Sequence, residues 1–183
     1  MSDPDLLILG SGATAFAAAI TAHDLGARVA MVERRTLGRT CANRGCLPSK
    51  NLIEAARIVH EAAHPRYEGL APARIEIDGR RLVAQKDAVV HAYRAKKYAS
   101  VAEALDGVEV RTGSGRFVDP SSVDIDGTAV RAGQILIATG SRPAIPPIPG
   151  LDTVPYLTSD LLDADEPGRL VDLPGSLIIL GGG

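Results

Sequence analysis

Four consecutive aliphatic residues, Leu6 to Leu9, run without polar interruption into Gly10-Ser11-Gly12. An apolar run of that length suits a strand buried on both faces, and the glycines suit a tight turn out of it. A helix is expected over Ala13 to Leu25, which is rich in alanine and has Gly26 where a left-handed helix stop belongs. Arg28 to Val32 reads as a second strand ending in Glu33, which completes a βαβ unit. In that setting Gly10-Ser11-Gly12, followed by Ala15, has the form of a dinucleotide fingerprint. The first glycine allows the turn and the second lets the backbone approach a pyrophosphate. The small third residue lets the helix pack close to the strand, with its positive end on the phosphates. Glu33 lies 21 positions after Gly12, where an acid binds ribose hydroxyls and disfavours a ribose 2′-phosphate.

Further along, Leu52, Ile53, Ala56, Val59 and Ala63 have helical spacing, which predicts a helix from Pro48 to His64 with Ser49 as its cap and Pro65 as its stop. A second long helix is expected over Leu82 to Leu105. Short strands follow at Val108 to Arg111, Gly115 to Val118, Val123 to Ile125 and Ala129 to Arg131, with Asp126-Gly127 as a hairpin turn. Gln134 to Thr139 is a further apolar strand closed by Gly140. The stretch from Arg142 to Gly150 carries too many prolines for a helix or central strand and reads as a stiff connector at a domain boundary. Ser176 to Leu180 has the pattern of another buried strand and leads into Gly181-Gly182-Gly183. The expectation is therefore a first domain over 1–150, and over 151–183 a connector with the first strand of a second, truncated nucleotide-binding domain. No internal repeat or low-complexity tract is found.

The formal charge of -2 provides no electrostatic footprint for nucleic acid or an anionic membrane surface. The N-terminal stretch has acids before its apolar run rather than the basic segment of a secretory signal, and no run is long enough to span a bilayer. A cytoplasmic location follows as the expectation, and there two nearby cysteines point to catalysis, redox sensing or metal binding rather than a structural staple. Cys41 and Cys46 are separated by four residues. In a regular helix such positions lie roughly 8 to 9 Å apart, whereas a disulfide usually needs about 4.4 to 6.8 Å between Cα atoms. The pair can close only where the backbone leaves the regular helix, and Gly45 is placed to permit that. Cys46, near the start of the next helix, has its thiolate favoured by the helix dipole.

The segment Leu37-Gly38-Arg39-Thr40-Cys41-Ala42-Asn43-Arg44-Gly45-Cys46-Leu47-Pro48-Ser49-Lys50 resembles the redox-active segment of the flavoprotein disulfide reductases, the class I pyridine nucleotide-disulfide oxidoreductases. The resemblance continues through Thr112 to Phe117, Ala138 to Pro143 and the glycine-rich end, and so covers essentially the whole chain. Within the family, the stretches Arg94 to Tyr98, Ile145 to Gly150 and Pro155 to Ser159 most resemble the mercuric reductases, with dihydrolipoyl dehydrogenases as the alternative. The fold this implies is α/β, a Rossmann-like FAD-binding domain with a parallel sheet, helices and a small antiparallel β-meander. It also implies an interchange thiol at Cys41 and a charge-transfer thiol at Cys46. FAD would be contacted by Gly10, Ser11, Gly12, Ala15, Glu33, Thr40, Lys50, Gly115, Thr139 and Gly140, with NADPH or NADH as electron donor to the complete enzyme, a homodimer. A small molecule or metal ion would be the substrate; in mercuric reductases Cys41 and Cys46 would hold Hg(II) transiently, with no structural metal, and soft thiolates suit that soft ion. Arg39 departs from the family, which usually has a second glycine there. Its side chain would either crowd the flavin phosphates or attract them.

Two other readings compete. His60-Glu61-Ala62-Ala63-His64 matches the H-E-x-x-H helix of zinc peptidases, yet only His23 and His91 remain as further histidines and Pro65 follows at once. The cysteine spacing is also wide for a zinc finger. Arg94, Lys96 and Lys97 are most simply a solvated helix face. The second competitor is a non-catalytic FAD-binding fragment, because the nicotinamide and interface domains that the resemblance implies are not contained in these residues.

Overall fold

A computed structural model describes residues 3–181. Strands β1 (Leu6–Leu9), β2 (Val29–Glu33), β3 (Val108–Thr112) and β7 (Gln134–Ile137) form a parallel sheet in the order β3-β2-β1-β7. Leu7 is in register with Ala30 and Ile135, and Val29 with Val108. Strands β4 (Gly115–Asp119), β5 (Ser122–Ile125) and β6 (Thr128–Arg131) form a separate antiparallel meander. The alternation of side chains along a strand explains how the layers stack. Leu7, Leu9, Ala30 and Val32 face the meander and pack on Val123, Ile125 and Val130. Ile8, Val29 and Met31 face the other way, onto Ala15, Phe16 and Ala19 of α1 (Ala13–Asp24) and onto Tyr98. Both faces of β1 and β2 are covered, which is why these strands read as continuous apolar runs.

The expected βαβ unit, meander and hairpin are all present, the hairpin turning through Asp126 and Gly127 at φ 46° and 90°. Val108 to Thr112, grouped in sequence with the short alternating strands, instead joins the parallel sheet beside β2. Helix α2 (Cys46–Ala63) starts two residues before the expected Pro48. Ser49 does not cap it. The Ser49 hydroxyl donates back to the Cys46 carbonyl at 3.3 Å, inside the first turn, and Pro48 is tolerated there because its missing N–H needs no partner. The second long helix begins early, at α3 (Gly79–Arg94), because the Asp78 carboxylate accepts from the Arg81 amide at 3.1 Å. It then continues through a π-helical turn (Ala95–Ala99) into α4 (Ser100–Ala104).

Residues 176–180 form no strand. They have no ladder neighbour among the described residues, and Leu177, Ile178, Ile179 and Leu180 are 60%, 87%, 75% and 62% exposed. A parallel strand is stable only with a partner on at least one side, so its apolar pattern alone does not form one. Gly182 and Gly183, part of the predicted glycine run, lie outside the described residues. Among the described residues no helix is long and apolar enough to cross a membrane.

Residues 159–172 return to the first unit through charged contacts. Arg44 Nη1 lies 2.9 Å from Asp160 Oδ1, Arg35 pairs with Glu166, and Arg94 and His91 meet Asp165. Arg94 is thus engaged rather than simply solvated, whereas Lys96 and Lys97 are exposed. Beneath them Lys86, fully buried, donates to the Leu162 carbonyl at 2.8 Å and faces the Asp87 carboxylate, which also takes Arg169 Nη1 at 3.0 Å. Burying an ammonium group is tolerable only with such partners.

Candidate active site

At the carboxyl end of the parallel sheet, β1 delivers Gly10 into a turn at φ 119°, with its N–H donating to the Val32 carbonyl at 2.8 Å. A β-carbon there would lie 2.2 Å from the Ala138 carbonyl oxygen, so only glycine fits. Helix α1 begins after Gly12, and no side chain caps its N-terminus, which leaves the first amides free for an anion. Ala15 is fully buried beneath the turn, giving the close helix-to-strand packing expected of a small residue. Glu33 ends β2 at 4% exposure. It accepts from Ser11 Oγ at 2.7 Å and from the Arg35 amide at 2.8 Å. A cleft of about 210 Å³ opens between these residues, lined by Gly10, Glu33, Arg39, Gly115 and Thr139. A larger open groove of about 1110 Å³ lies between α2 and residues 72–77 and contains none of the predicted site residues.

The cysteines sit on a second turn beside the first. Residues Thr40–Arg44 form a π-helical turn, and α2 starts at Cys46. Gly45 between them has φ -118° and ψ -110°, and a β-carbon on it would come within 2.8 Å of the Thr40 carbonyl oxygen. The backbone therefore leaves regular helix at the residue expected to permit it. The turn is braced from below. Asn43 Nδ2 donates to the Leu37 carbonyl at 2.8 Å, Arg44 is buried against Asp160, and Ala42 packs with Tyr98, whose ring meets Phe16 edge-on at 4.9 Å. No local signal in the sequence marked Asn43, Arg44 or Tyr98, because their partners are reached only through the fold.

Both cysteines are free thiols and exposed. The hydrogen bond with Cys46 holds the Cys41 thiol above its ordinary pKa, assisted by desolvation and by the Cys46 charge, while Lys50 acts in the opposite direction. Lys50 follows Cys46 by one helical turn and contributes this positive charge. Thr40 Oγ1 approaches the Ser141 carbonyl at 3.4 Å, and a β-carbon on Gly140 would lie 3.9 Å from the same hydroxyl. Of the predicted residues, Gly10, Glu33, Gly115 and Thr139 line the cleft, Ser11 and Gly12 form the turn beside it, Ala15 is buried beneath that turn rather than open to a ligand, and Thr40, Cys41, Cys46, Lys50 and Gly140 gather around the thiols.

The His60 and His64 rings stack at 4.4 Å, and Glu61 is taken up by Arg57 and Arg66. Among the described residues no group of three or more histidine, cysteine, aspartate or glutamate side chains is arranged to hold a metal ion. The peptidase helix motif has neither a third ligand nor a free carboxylate there.

A parallel sheet with a glycine turn at its carboxyl end, beside an exposed cysteine pair that opens a helix, defines a Rossmann-like unit that carries two thiols next to its nucleotide-type turn. The chain belongs to the pyridine nucleotide-disulphide oxidoreductase family, whose model matches residues 4–183. It is 41% identical over 179 residues to a mercuric reductase of Lysinibacillus sphaericus, covering 98% of this chain and 32% of the relative. A mercuric reductase of Streptomyces lividans is 45% identical over 185 residues, covering 98% and 38%. Among solved structures, the HOCl-induced flavoprotein disulfide reductase RclA of Escherichia coli superimposes with a TM-score of 0.72 at 28% identity, covering 88% of this chain and 34% of that one. The chain spans about a third of the length of these relatives.

Proposed function

We propose that this chain is the FAD-binding, dithiol-bearing part of a mercuric reductase. In the complete enzyme electrons pass from NADPH or NADH through FAD to the Cys41/Cys46 pair and on to Hg(II). The observation that carries the reading is the juxtaposition of the phosphate turn and the thiol turn at one end of one sheet, joined through Thr40 and the Ala138 to Ser141 segment. The likeness to mercuric reductases supports the choice of substrate. The residues present fit FAD. Gly10 leaves room where any side chain would collide with Ala138, α1 offers uncapped amides to a diphosphate, and Glu33 offers carboxylate oxygens to ribose hydroxyls.

FAD, when bound, supplies the two-electron relay between the nicotinamide and the thiols or the metal ion. The protein's own part is to hold the acceptor. Exposed Cys41 is reachable by an incoming ion, and Cys46 lies near enough to shift its titration, so that one turn presents two soft sulfur ligands. Binding Hg(II) as a neutral bis-thiolate releases both thiol protons, and Lys50 favours the Cys41 thiolate that attacks the ion. The reading extends to a division at residue 150, with 151–183 leading into a nicotinamide domain, to the predicted FAD contacts, and to a cytoplasmic homodimer.

The purified chain mixed with FAD and desalted should stay yellow, and it should take up one Hg(II) per chain. Cys41→Ser and Cys46→Ser should each abolish tight Hg(II) uptake while FAD is retained. A colourless chain indifferent to FAD, or Hg(II) uptake unchanged in both variants, would sink the proposal. Preferential reaction with lipoamide over Hg(II) in the full-length enzyme would move the substrate to the dihydrolipoyl dehydrogenase reading.

A further inference from the structure

We infer that Arg39 is a phosphate ligand of the nucleotide cleft, held on Glu33 until a diphosphate enters; this rests on the reading of that cleft as the FAD site. Three features of Arg39 converge. Its backbone lies at φ 41° and ψ -135°, a conformation that side-chain-bearing residues avoid and that persists only where the surrounding structure imposes it, often at ligand sites. Its side chain is only 14% exposed, unusual for an arginine without a full set of partners. Finally, it stands directly over the phosphate turn, since a β-carbon on Gly12 would lie 3.9 Å from the Arg39 β-carbon.

The guanidinium is poorly used as it stands. Its hydrogen bond among the described residues is a long one, 3.4 Å from Nη1 to Glu33 Oε1. Glu33 does not depend on it, because Ser11 Oγ and the Arg35 amide already reach the carboxylate at 2.7 and 2.8 Å. Of five donors most remain free, and Arg39 lines the cleft together with Gly10, beside the turn that leads into the uncapped start of α1. A planar fork of donors whose backbone stands beside the turn into a helix N-terminus is suited to a diphosphate, which the guanidinium and the helix amides can contact together. In the free chain Arg39 therefore offsets the charge of buried Glu33, and on binding it turns to the phosphates and leaves Glu33 to the ribose.

The test compares FAD, ADP and adenosine by calorimetry on the wild-type chain, Arg39→Gln and Arg39→Lys. Glutamine keeps a polar side chain and the backbone strain but is shorter and removes the charge. Arg39→Gln is expected to weaken FAD and ADP about tenfold or more while adenosine stays within about twofold, and to flatten the salt dependence of ADP binding. Arg39→Lys should fall between the two. Affinities for FAD and ADP equal to or tighter than wild type in Arg39→Gln would overturn the assignment alone, as would an equal loss for adenosine, which would make Arg39 a prop of the cleft. Should Arg39→Gln fail to melt cooperatively, Arg39→Lys decides, and a lysine variant matching wild type on all three ligands overturns it. A wild-type chain that binds none of the three ligands overturns both this assignment and the proposed FAD site.

Discussion

Gly10 and Cys41 show how differently single residues are specified. The fingerprint predicted Gly10 as a phosphate-turn residue, and its φ of 119° together with the 2.2 Å approach to the Ala138 oxygen explains the requirement. Gly10→Ala must both adopt a disfavoured conformation and displace backbone, so urea denaturation is expected to show a loss of about 3 kcal/mol or more. Cys41 was also predicted, but its protonation depends on a neighbour that the turn brings round. Since the hydrogen bond with Cys46 is the main cause of its raised pKa, Cys46→Ala should let Cys41 titrate lower. The pH profile of Cys41 alkylation by iodoacetamide reads this directly, and a midpoint that stays put or rises in the variant would contradict it. Arg39 lies between these cases. Its unusual identity was visible in the sequence, whereas its backbone strain and its approach to Glu33 were not.

Elements were legible where their signals are local. The apolar runs of β1 and β2, the alanine-rich α1 and the Asp126-Gly127 hairpin follow from short-range pattern and turn chemistry. The start of α2 and the partner of β3 did not, because a helix can begin before a proline and a strand pattern does not say which sheet receives it. The segment around the short 3₁₀ turn Ser159–Leu162 was likewise read only as connector, although it carries Asp160, Asp163 and Asp165 back onto the first unit. Desolvation raises the pKa of Asp163, whose carboxylate accepts from the Asp165 amide at 3.2 Å. A carboxyl group with a raised native pKa favours the fold while protonated, and that contribution is lost as pH rises through the raised value. Asp163→Asn keeps an acceptor for the amide and removes the charge. Its stability relative to wild type should therefore improve from pH 4 to pH 7, because the buried carboxylate is costly to ionise. Parallel melts at the two pH values would show no such divergence if Asp163 were ionised without cost.

For the whole molecule, the glycine turn, the thiol turn and the charged return of residues 159–172 meet around one end of the parallel sheet. A ligand that binds only the folded chain stabilises it by mass action, by about 2.7 kcal/mol at a hundred times its Kd. For a chain of this size that corresponds to a rise in Tm of about 5 to 10 °C, which differential scanning fluorimetry with FAD measures. FMN, lacking the adenosine and the second phosphate that the proposed FAD site assigns to the cleft, should give a smaller rise, and an equal one would place flavin binding elsewhere.

From the order of its residues alone, this protein's βαβ unit, glycine turn, the acid that ends β2 and the paired cysteines could be recognised, because each is a matter of local conformation and spacing within a short stretch. Tertiary structure decided the rest. The pairing of β2 with β3, the burial of Lys86 under Leu162, the bracing of Arg44 by Asp160 and the absence of a strand at 176–180 depend on which distant segments come together. Burial and strand pairing are free energies of contact between such segments, and no window of neighbouring residues contains them.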